Sequence, residues 1–559
     1  MRIKWTTECP DWEERLVQGK SIIPPPIFAN EAEEALHIFK ALRVPDLPGK
    51  PTMGEVSEEW VFDFVRCIFG AYDAETGKQL IREFGLLISK KNTKSTIAAG
   101  IMLTALILCW REEEEHLILA PTKEVADNSY KPAAAMVRAD TELSAMFHVQ
   151  DHVRTITDRT TRNSLKVVAA DTDTVSGKKS GRVLVDELWV FGKRANAEAM
   201  FLEALGGQVS RDEGWVIYLT TQSDEPPAGV FKEKLQYWRD VRDGKIKDPA
   251  TLGILYEFPK AMLEAKAYLD PENFYITNPN LGRSVSREWL EAQLIKNQTK
   301  TDGTFQQFLA KHLNVEIGLN LRSDRWTGAD FWEKRGDKTV SLERILSECE
   351  VVTLGIDGGG LDDLLGFSAT GRVRGADHWL QWNKAWVHPI GLERRKELEP
   401  RYRDFEKDGD LVIINDLPED VEQLAAIAKR VFDSGLLAQI GMDPERTHKV
   451  VMAALIAAGV PEDMIIGISQ GWKLTGAIGV AERKLASGEM THAAQPLMAW
   501  CVGNAKVVPV GNAVNITKQA SGTGKIDPLM AMLNSVSLMA LNPVAKGPSV
   551  YESRGLRFL

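Results

Sequence analysis

The residues with the clearest chemistry lie in one stretch, Leu86-Leu87-Ile88-Ser89-Lys90-Lys91-Asn92-Thr93-Lys94-Ser95-Thr96. An apolar run passes into a basic, polar turn that opens onto an uncharged segment of helical character, residues 97–110. Strand, turn and helix start in that order make a phosphate cradle. Backbone N–H groups at the helix start meet the phosphates, a lysine (Lys94) reaches the outer ones, and a hydroxyl (Ser95) joins Mg²⁺. Lys90, Lys91, Asn92, Thr93 and Thr96 complete the candidate nucleotide-binding set. Both glycines of the usual signature are missing, with Ile88 and Thr93 in their places. A basic turn before a core helix has the same composition, so the residues downstream carry the decision.

A second apolar strand delivers two adjacent acids in Val183-Leu184-Val185-Asp186-Glu187. Hydrolysis of a nucleotide needs that pair: Asp186 to hold Mg²⁺ through water, Glu187 to orient and deprotonate the attacking water. The next strand ends in Thr220-Thr221-Gln222, whose hydroxyls can sense loss of the γ-phosphate and pass it to a moving element. The polar run 172–180 reads as a solvated loop, and the lysines and arginines of 232–247 as a helix face interrupted by acids.

The carboxy-terminal half holds a different set. Asp357 closes an apolar strand, Asp363 opens the next, Asp443 closes a later one, and Asp527 heads the apolar helix 529–541. Each aspartate alone reads as a turn former or helix cap. Together, at element ends, the four are expected to converge on one sheet edge and hold two hard cations about 4 Å apart, the arrangement that cleaves phosphodiesters.

The elements that must position these groups follow from the apolar pattern. Strand candidates 86–89, 116–120, 165–170, 182–185 and 215–221 alternate with helical segments, which predicts a mostly parallel sheet with ligands at the carboxyl ends of its strands. Further on, three consecutive strands (351–357, 365–373, 378–387) precede helix 392–408, strand 411–415, helix 421–434 and strand 437–442, the order of a ribonuclease-H-like fold. The class is therefore α/β: a P-loop NTPase domain followed by a ribonuclease-H-like nuclease domain. The expected boundaries are a proline-rich arm with one short helix (1–55), the ATPase domain (56–325), a linker (326–348) with Arg322, Arg325, Trp326 and Trp332 around its start, the nuclease domain (349–545) and a tail (546–559).

Composition agrees with such a chain and narrows little else. The 559 residues are 44% hydrophobic and 26% charged, which suits a globular protein with real cores. The five cysteines are scattered without CxxC spacing, which argues against disulfides or zinc. No apolar run reaches the roughly 20 residues of a membrane span, and no signal peptide is expected. A net charge of −10 does not advertise a nucleic-acid binder, although local basic patches decide that question.

With these motifs in order, the chain resembles the large terminase subunit of tailed bacteriophages, from about residue 60 to about 541. Ser89-Lys90-Lys91-Asn92-Thr93-Lys94-Ser95 resembles that family's deviant phosphate loop, and departs from it at Ser89, Lys90 and Thr93. Val185-Asp186-Glu187-Leu188 is similar to its second ATPase motif, Thr220-Thr221 to its coupling motif, and Asp357, Asp363, Asp443 and Asp527 to its nuclease acids. His492, Pro496, Trp500, Asn504 and Lys525-Ile526-Asp527 are softer points of likeness. The resemblance implies a DNA-packaging ATPase and endonuclease using ATP with Mg²⁺, and two Mg²⁺ or Mn²⁺ ions for cutting. It implies double-stranded DNA, the procapsid portal and a small terminase subunit as partners, a ring of five subunits on the portal, and work in the cytoplasm of the infected host. The rival readings are a helicase-like or transposase-like enzyme sharing the folds, and a virion docking protein with inactive sites.

Overall fold

Near-continuous apolar runs such as Trp215-Val216-Ile217-Tyr218-Leu219 suit strands covered on both faces. The computed structural model describes residues 4–169, 180–298, 304–317, 326–444, 448–511, 513–518 and 524–545. It divides into two units, Met1–Ile317 and Gly318–Leu559. None of its helices is long and apolar enough to cross a membrane among the described residues.

In the first unit a small hairpin, β1 (Tyr72–Asp73) and β2 (Lys78–Gln79), precedes an eight-stranded sheet. Its strands are β3 (Glu83–Leu87), β4 (Glu115–Ala120), β5 (Phe147–Gln150), β6 (Thr155–Asp158), β7 (Ser164–Ala169), β8 (Ser180–Val185), β9 (Trp215–Thr220) and β10 (Thr251–Leu255). The order is β10-β3-β9-β8-β4-β7-β6-β5. The first six positions pair in parallel and the last two are antiparallel additions. Every sequence-expected strand is present within a few residues, and β5, β6 and β10 are additions. The ends of β3, β8 and β9 therefore lie along one edge, as phosphate chemistry requires.

Close approach explains two glycines. Gly85 of β3 sits opposite Gly253 of β10, and a Cβ on either would stand 2.4 or 2.6 Å from Trp238. The indole thus lies against the strands, and its N–H donates to Glu83. Residues 4–55 do not form an extended arm. Helices Trp12–Val17, Ala29–Ala41 and Met53–Val56 join the first unit, Cys9 N–H donates to the Arg242 carbonyl, and the Arg242 guanidinium lies over Trp12. Tryptophan and aliphatic side chains between the prolines supply the apolar surface for that packing. Several of the 232–247 cations are ion-paired: Lys234 with Glu83, Arg239 and Arg242 with Glu257, Lys245 with Asp240.

The second unit begins its sheet with β11 (Cys349–Gly358), β12 (Leu364–Val373) and β13 (Trp379–Val387), an antiparallel meander. β14 (Leu411–Ile413), β15 (Leu437–Met442), β16 (Ile465–Gly467) and β17 (Met490–His492) follow. The order is β14-β13-β12-β11-β15-β16, with β17 also on β13. β15 runs parallel to β11 and β16 parallel to β15, so the first strand is flanked by the second and by a parallel later strand. This is the ribonuclease-H-like arrangement. Outside it, β18 (Ala505–Val510) and β19 (Ala513–Lys518) make a hairpin. Residues 326–348 are no linker: Trp326 and Trp332 are buried in this unit's core. Arg322 and Arg325 lie outside the described residues.

Helix Asp527–Met539 is buried along nearly its whole length against β11 and β12. Glycine makes that approach: a Cβ at Gly355 would lie 1.9 Å from the Ala531 carbonyl oxygen. Backbone cannot yield as a flexible side chain would, so Gly355→Ala is expected to destabilise this unit by about 3 kcal/mol. Urea unfolding checks it, and an unchanged midpoint would contradict the close helix–sheet contact.

Candidate functional site

The turn after β3 has two non-glycine residues in the left-handed region, Lys91 (φ 73°) and Thr93 (φ 58°). Glycine holds such a conformation without steric cost. Here a buried amide network holds it instead. Asn92 donates to the Ser89 carbonyl (3.1 Å) and to Asn278 Oδ1 (2.9 Å), and accepts from the Asn280 backbone N–H (3.0 Å). The Asn280 amide donates to the Asn92 carbonyl and to Thr93 Oγ1, both at 3.1 Å, and accepts from the Trp60 indole (2.7 Å). Thr93 is thus tied at its own hydroxyl. The missing glycine is replaced by outside bracing.

Helix Lys94–Ile107 starts directly from that turn. Lys94 is 7% exposed, with Nζ 3.7 Å from Glu187 Oε1. Ser95 Oγ lies 3.4 Å from Asp186 Oδ2, which also accepts from Ser129 Oγ at 2.9 Å. Asp186 Oδ1 is buried and has no partner among the described residues. Burial, then the adjacent Glu187 charge, pushes the Asp186 carboxyl up to about 6. An orphaned carboxylate oxygen beside a serine hydroxyl fits a hard cation such as Mg²⁺.

Glu187 occupies a left-handed position (φ 54°) between β8 and a short helix, Leu188–Phe191. Burial pushes its carboxyl up, but the Lys94 ammonium and the Trp189 indole N–H, which donates to Oε2, hold it below its ordinary value. Thr220 Oγ1 accepts from the Trp189 backbone N–H (3.1 Å) and donates to the Thr221 carbonyl (2.8 Å). Thr221 Oγ1 donates to the Gln222 carbonyl at 3.1 Å. Lys90 enters through its backbone, donating to the Lys311 carbonyl at 2.7 Å. The Lys91 side chain is exposed, while its carbonyl accepts from Ser284. Thr96 is half-buried on the helix's first turn. The residues missed from sequence are Ser129, Trp189, Asn278, Asn280 and Lys311. None of them was singled out by the sequence; the only local trace is Thr277-Asn278-Pro279-Asn280, a polar turn-forming run.

At the second site, parallel register sets Ile356 beside Met442, so Asp357 and Asp443 extend from adjacent strand ends. Asp527 reaches the same place, since a Cβ on Gly358 would lie 3.2 Å from Asp527 Oδ1. It is no helix cap. Ile526 holds the cap position, and Asp527 Oδ2 is buried without a partner among the described residues. Burial, then the charge of Asp363, pushes its carboxyl up to about 7. Asp363 pairs with the ammonium of Lys525, which is 3% exposed and also donates to the Asp362 carbonyl (3.1 Å). Among the described residues no three His, Cys, Asp or Glu side chains gather closely enough to hold a metal ion. The four aspartates share an edge rather than a closed cage, and Lys525 pairs with one of them. The orphaned oxygen of Asp527 is the feature here that fits a cation. His492 is structural: it stacks on Trp332 at 3.9 Å and shares a 2.7 Å hydrogen bond with the Trp332 carbonyl. Trp500 packs against Tyr402 and Phe405, while Asn504 supports the Lys525 carbonyl. The loop 172–179 lies outside the described residues.

Residues 59–240 match the family model for the terminase large subunit, ATPase domain. The chain is 23% identical over 476 residues to the terminase large subunit of Enterobacteria phage HK97, covering 84% of this chain and 88% of that one. It is 23% identical over 384 residues to protein YmfN of Escherichia coli strain K12, covering 65% and 79%. The crystal structure of the HK97 large terminase superposes with a TM-score of 0.46 at 20% identity, covering 91% of this chain and 99% of that one. The chain is thus similar to terminase large subunits, in its ATPase-domain match and in its resemblance to the HK97 protein along most of both chains.

Proposed function

We propose that this chain hydrolyses ATP to drive double-stranded DNA into a procapsid and cuts that DNA with its second unit. The observation that carries the first activity is the meeting of Lys94, Ser95, Asp186 and Glu187 at one sheet edge, with Asp186 Oδ1 buried and unpaired. Lys94 binds the outer phosphates, and the braced turn sets the N-terminus of helix Lys94–Ile107 to present its first backbone N–H groups to them. Ser95 and Asp186 would hold Mg²⁺, which supplies charge neutralisation across the phosphates. Glu187 takes the proton of the attacking water, and Thr220 and Thr221 couple the reaction to motion by linking β9 to Trp189. In the second unit Asp527, through its orphaned oxygen, would hold Mg²⁺ or Mn²⁺, with Asp357 and Asp443 drawing in from the adjacent strand ends and Asp363 assisting; the metal would supply an activated water and stabilise the leaving oxygen. The partners are the portal and a small terminase subunit, in a five-membered ring on the procapsid within the infected cell's cytoplasm.

The purified chain is expected to release phosphate from Mg²⁺–ATP and to nick and linearise supercoiled plasmid with Mn²⁺ or Mg²⁺. Lys94→Ala should lose only the first activity and Asp357→Ala only the second. A wild-type protein with neither activity, or cutting that survives Asp357→Ala, would overturn the assignment.

A further inference from the structure

Trp189 does not end the network around Glu187. The Lys311 ammonium, on helix Thr304–Leu313, lies 3.0 Å from the centre of the Trp189 ring and donates to the Gln222 carbonyl at 2.8 Å. Lys311 is 8% exposed. Its carbonyl accepts from the Lys90 N–H, and three residues on, Asn314 accepts from the Gln222 backbone N–H (3.3 Å) and donates to the Tyr256 carbonyl (2.9 Å). One short segment therefore grips the phosphate turn, the end of β9 and the face of the ring that holds Glu187.

We infer that Lys311 is a positioning residue for ATP hydrolysis, clamping Trp189 so that its indole N–H keeps Glu187 aimed at the attacking water. The inference rests on the ATPase reading above. Glu187 has two supports, Lys94 at one oxygen and Trp189 at the other. Phosphate competes for Lys94, since one ammonium divides its hydrogen bonds between both anions. As the phosphates draw Lys94, the indole becomes the fixed support, and the indole is only as fixed as what packs on it. A cation on a tryptophan face in a desolvated setting is a strong restraint. A charge is also a costly filler for a core. The ammonium is held by the Gln222 carbonyl and lies toward Asp224 and Glu187, whereas a methionine of similar length would fill the space without desolvation. Lys193 also approaches the ring, at 5.3 Å, but it is engaged by Asp224 and Glu225.

The test compares Lys311→Met and Trp189→Phe with wild type in steady-state phosphate release and in titration with a fluorescent ADP analogue. Misaiming a general base costs on the order of 10²-fold in rate. Each variant should lose about that much kcat, with KM for ATP and analogue affinity within about threefold of wild type. Neither should slow Glu187→Gln further in single-turnover measurements, because clamp and base act as one unit. Should Lys311→Met fail to fold, Trp189→Phe, which keeps an aromatic face for Lys311 but loses the smaller ring with its N–H, carries the test. Wild-type kcat in both variants, additive losses on Glu187→Gln, or a loss seen only in KM would overturn the clamp while an active wild type leaves the ATPase reading standing. A wild type that turns over no ATP overturns both.

Discussion

Replacing Glu187 by glutamine is expected to lower ATP turnover about 10³-fold and leave nucleotide affinity equal or slightly improved, since general-base catalysis contributes about 10²–10⁴-fold. Glutamine keeps the shape and can still accept from Trp189 through its amide oxygen, so the left-handed turn at 187 and its hydrogen bond survive. What disappears is the ionised oxygen that takes the proton. Lys94 also loses its carboxylate partner and is freer for phosphate. Rate and affinity thus separate, which a collapse of the fold would not produce. Phosphate release alongside titration with a fluorescent ADP analogue checks both halves. Wild-type turnover in this variant would remove Glu187 from its role and pass the task to a group not yet considered.

The reactive groups were legible in sequence where chemistry depends on neighbours along the chain. A strand, a turn and a helix start put Lys94 and Ser95 where phosphates go, and a strand ending in Asp186-Glu187 needs no distant information. The supports were not legible, because they work across the fold. Asn278 and Asn280 brace Asn92 from far along the chain, and nothing local marks them as more than polar loop residues. Their absence from a sequence reading made Thr93 look like a defect. Its hydroxyl and carbonyl neighbours are instead bound in the network that a glycine loop would not need. β10 was missed for the converse reason: Thr251-Leu252-Gly253-Ile254-Leu255 is short and interrupted by glycine, and that glycine is there because Trp238 lies on it. In the second unit, sequence order found the sheet and the edge. It could not separate an Asp527 that caps a helix from one whose side chain is orphaned beside Asp363, since both stand at the same place in the chain. Nor could it foresee Lys525 folding onto Asp363, an ion pair made across the fold.

Asp527→Asn is expected to abolish metal-dependent plasmid cleavage and at the same time to stabilise the chelated protein at pH 8 by about 2–4 kcal/mol. The Asp527 carboxyl is buried beside Asp363, and its proton is held up to about 7 against an ordinary value of 3.8. An unfolded chain releases that proton near 3.8. Between those values the folded form binds more protons than the unfolded form, so this site's contribution to stability falls as pH rises and is lost by about pH 8. Asparagine mimics the protonated acid, stays neutral at every pH and can still donate to Asp363. The variant should therefore lose the wild type's decline in stability between pH 5 and pH 8, measured by thermal unfolding in EDTA. A cation would stabilise the wild type by engaging the same carboxylate, so adding Mn²⁺ should raise its melting temperature and barely move the variant's. Function and stability then pull in opposite directions at one atom, as they do where a site holds charge in reserve for a ligand. An Asp527→Asn protein that melts lower than wild type at pH 8 in EDTA would mean the carboxylate is a structural partner after all, and cleavage by the variant would remove it from the nuclease site.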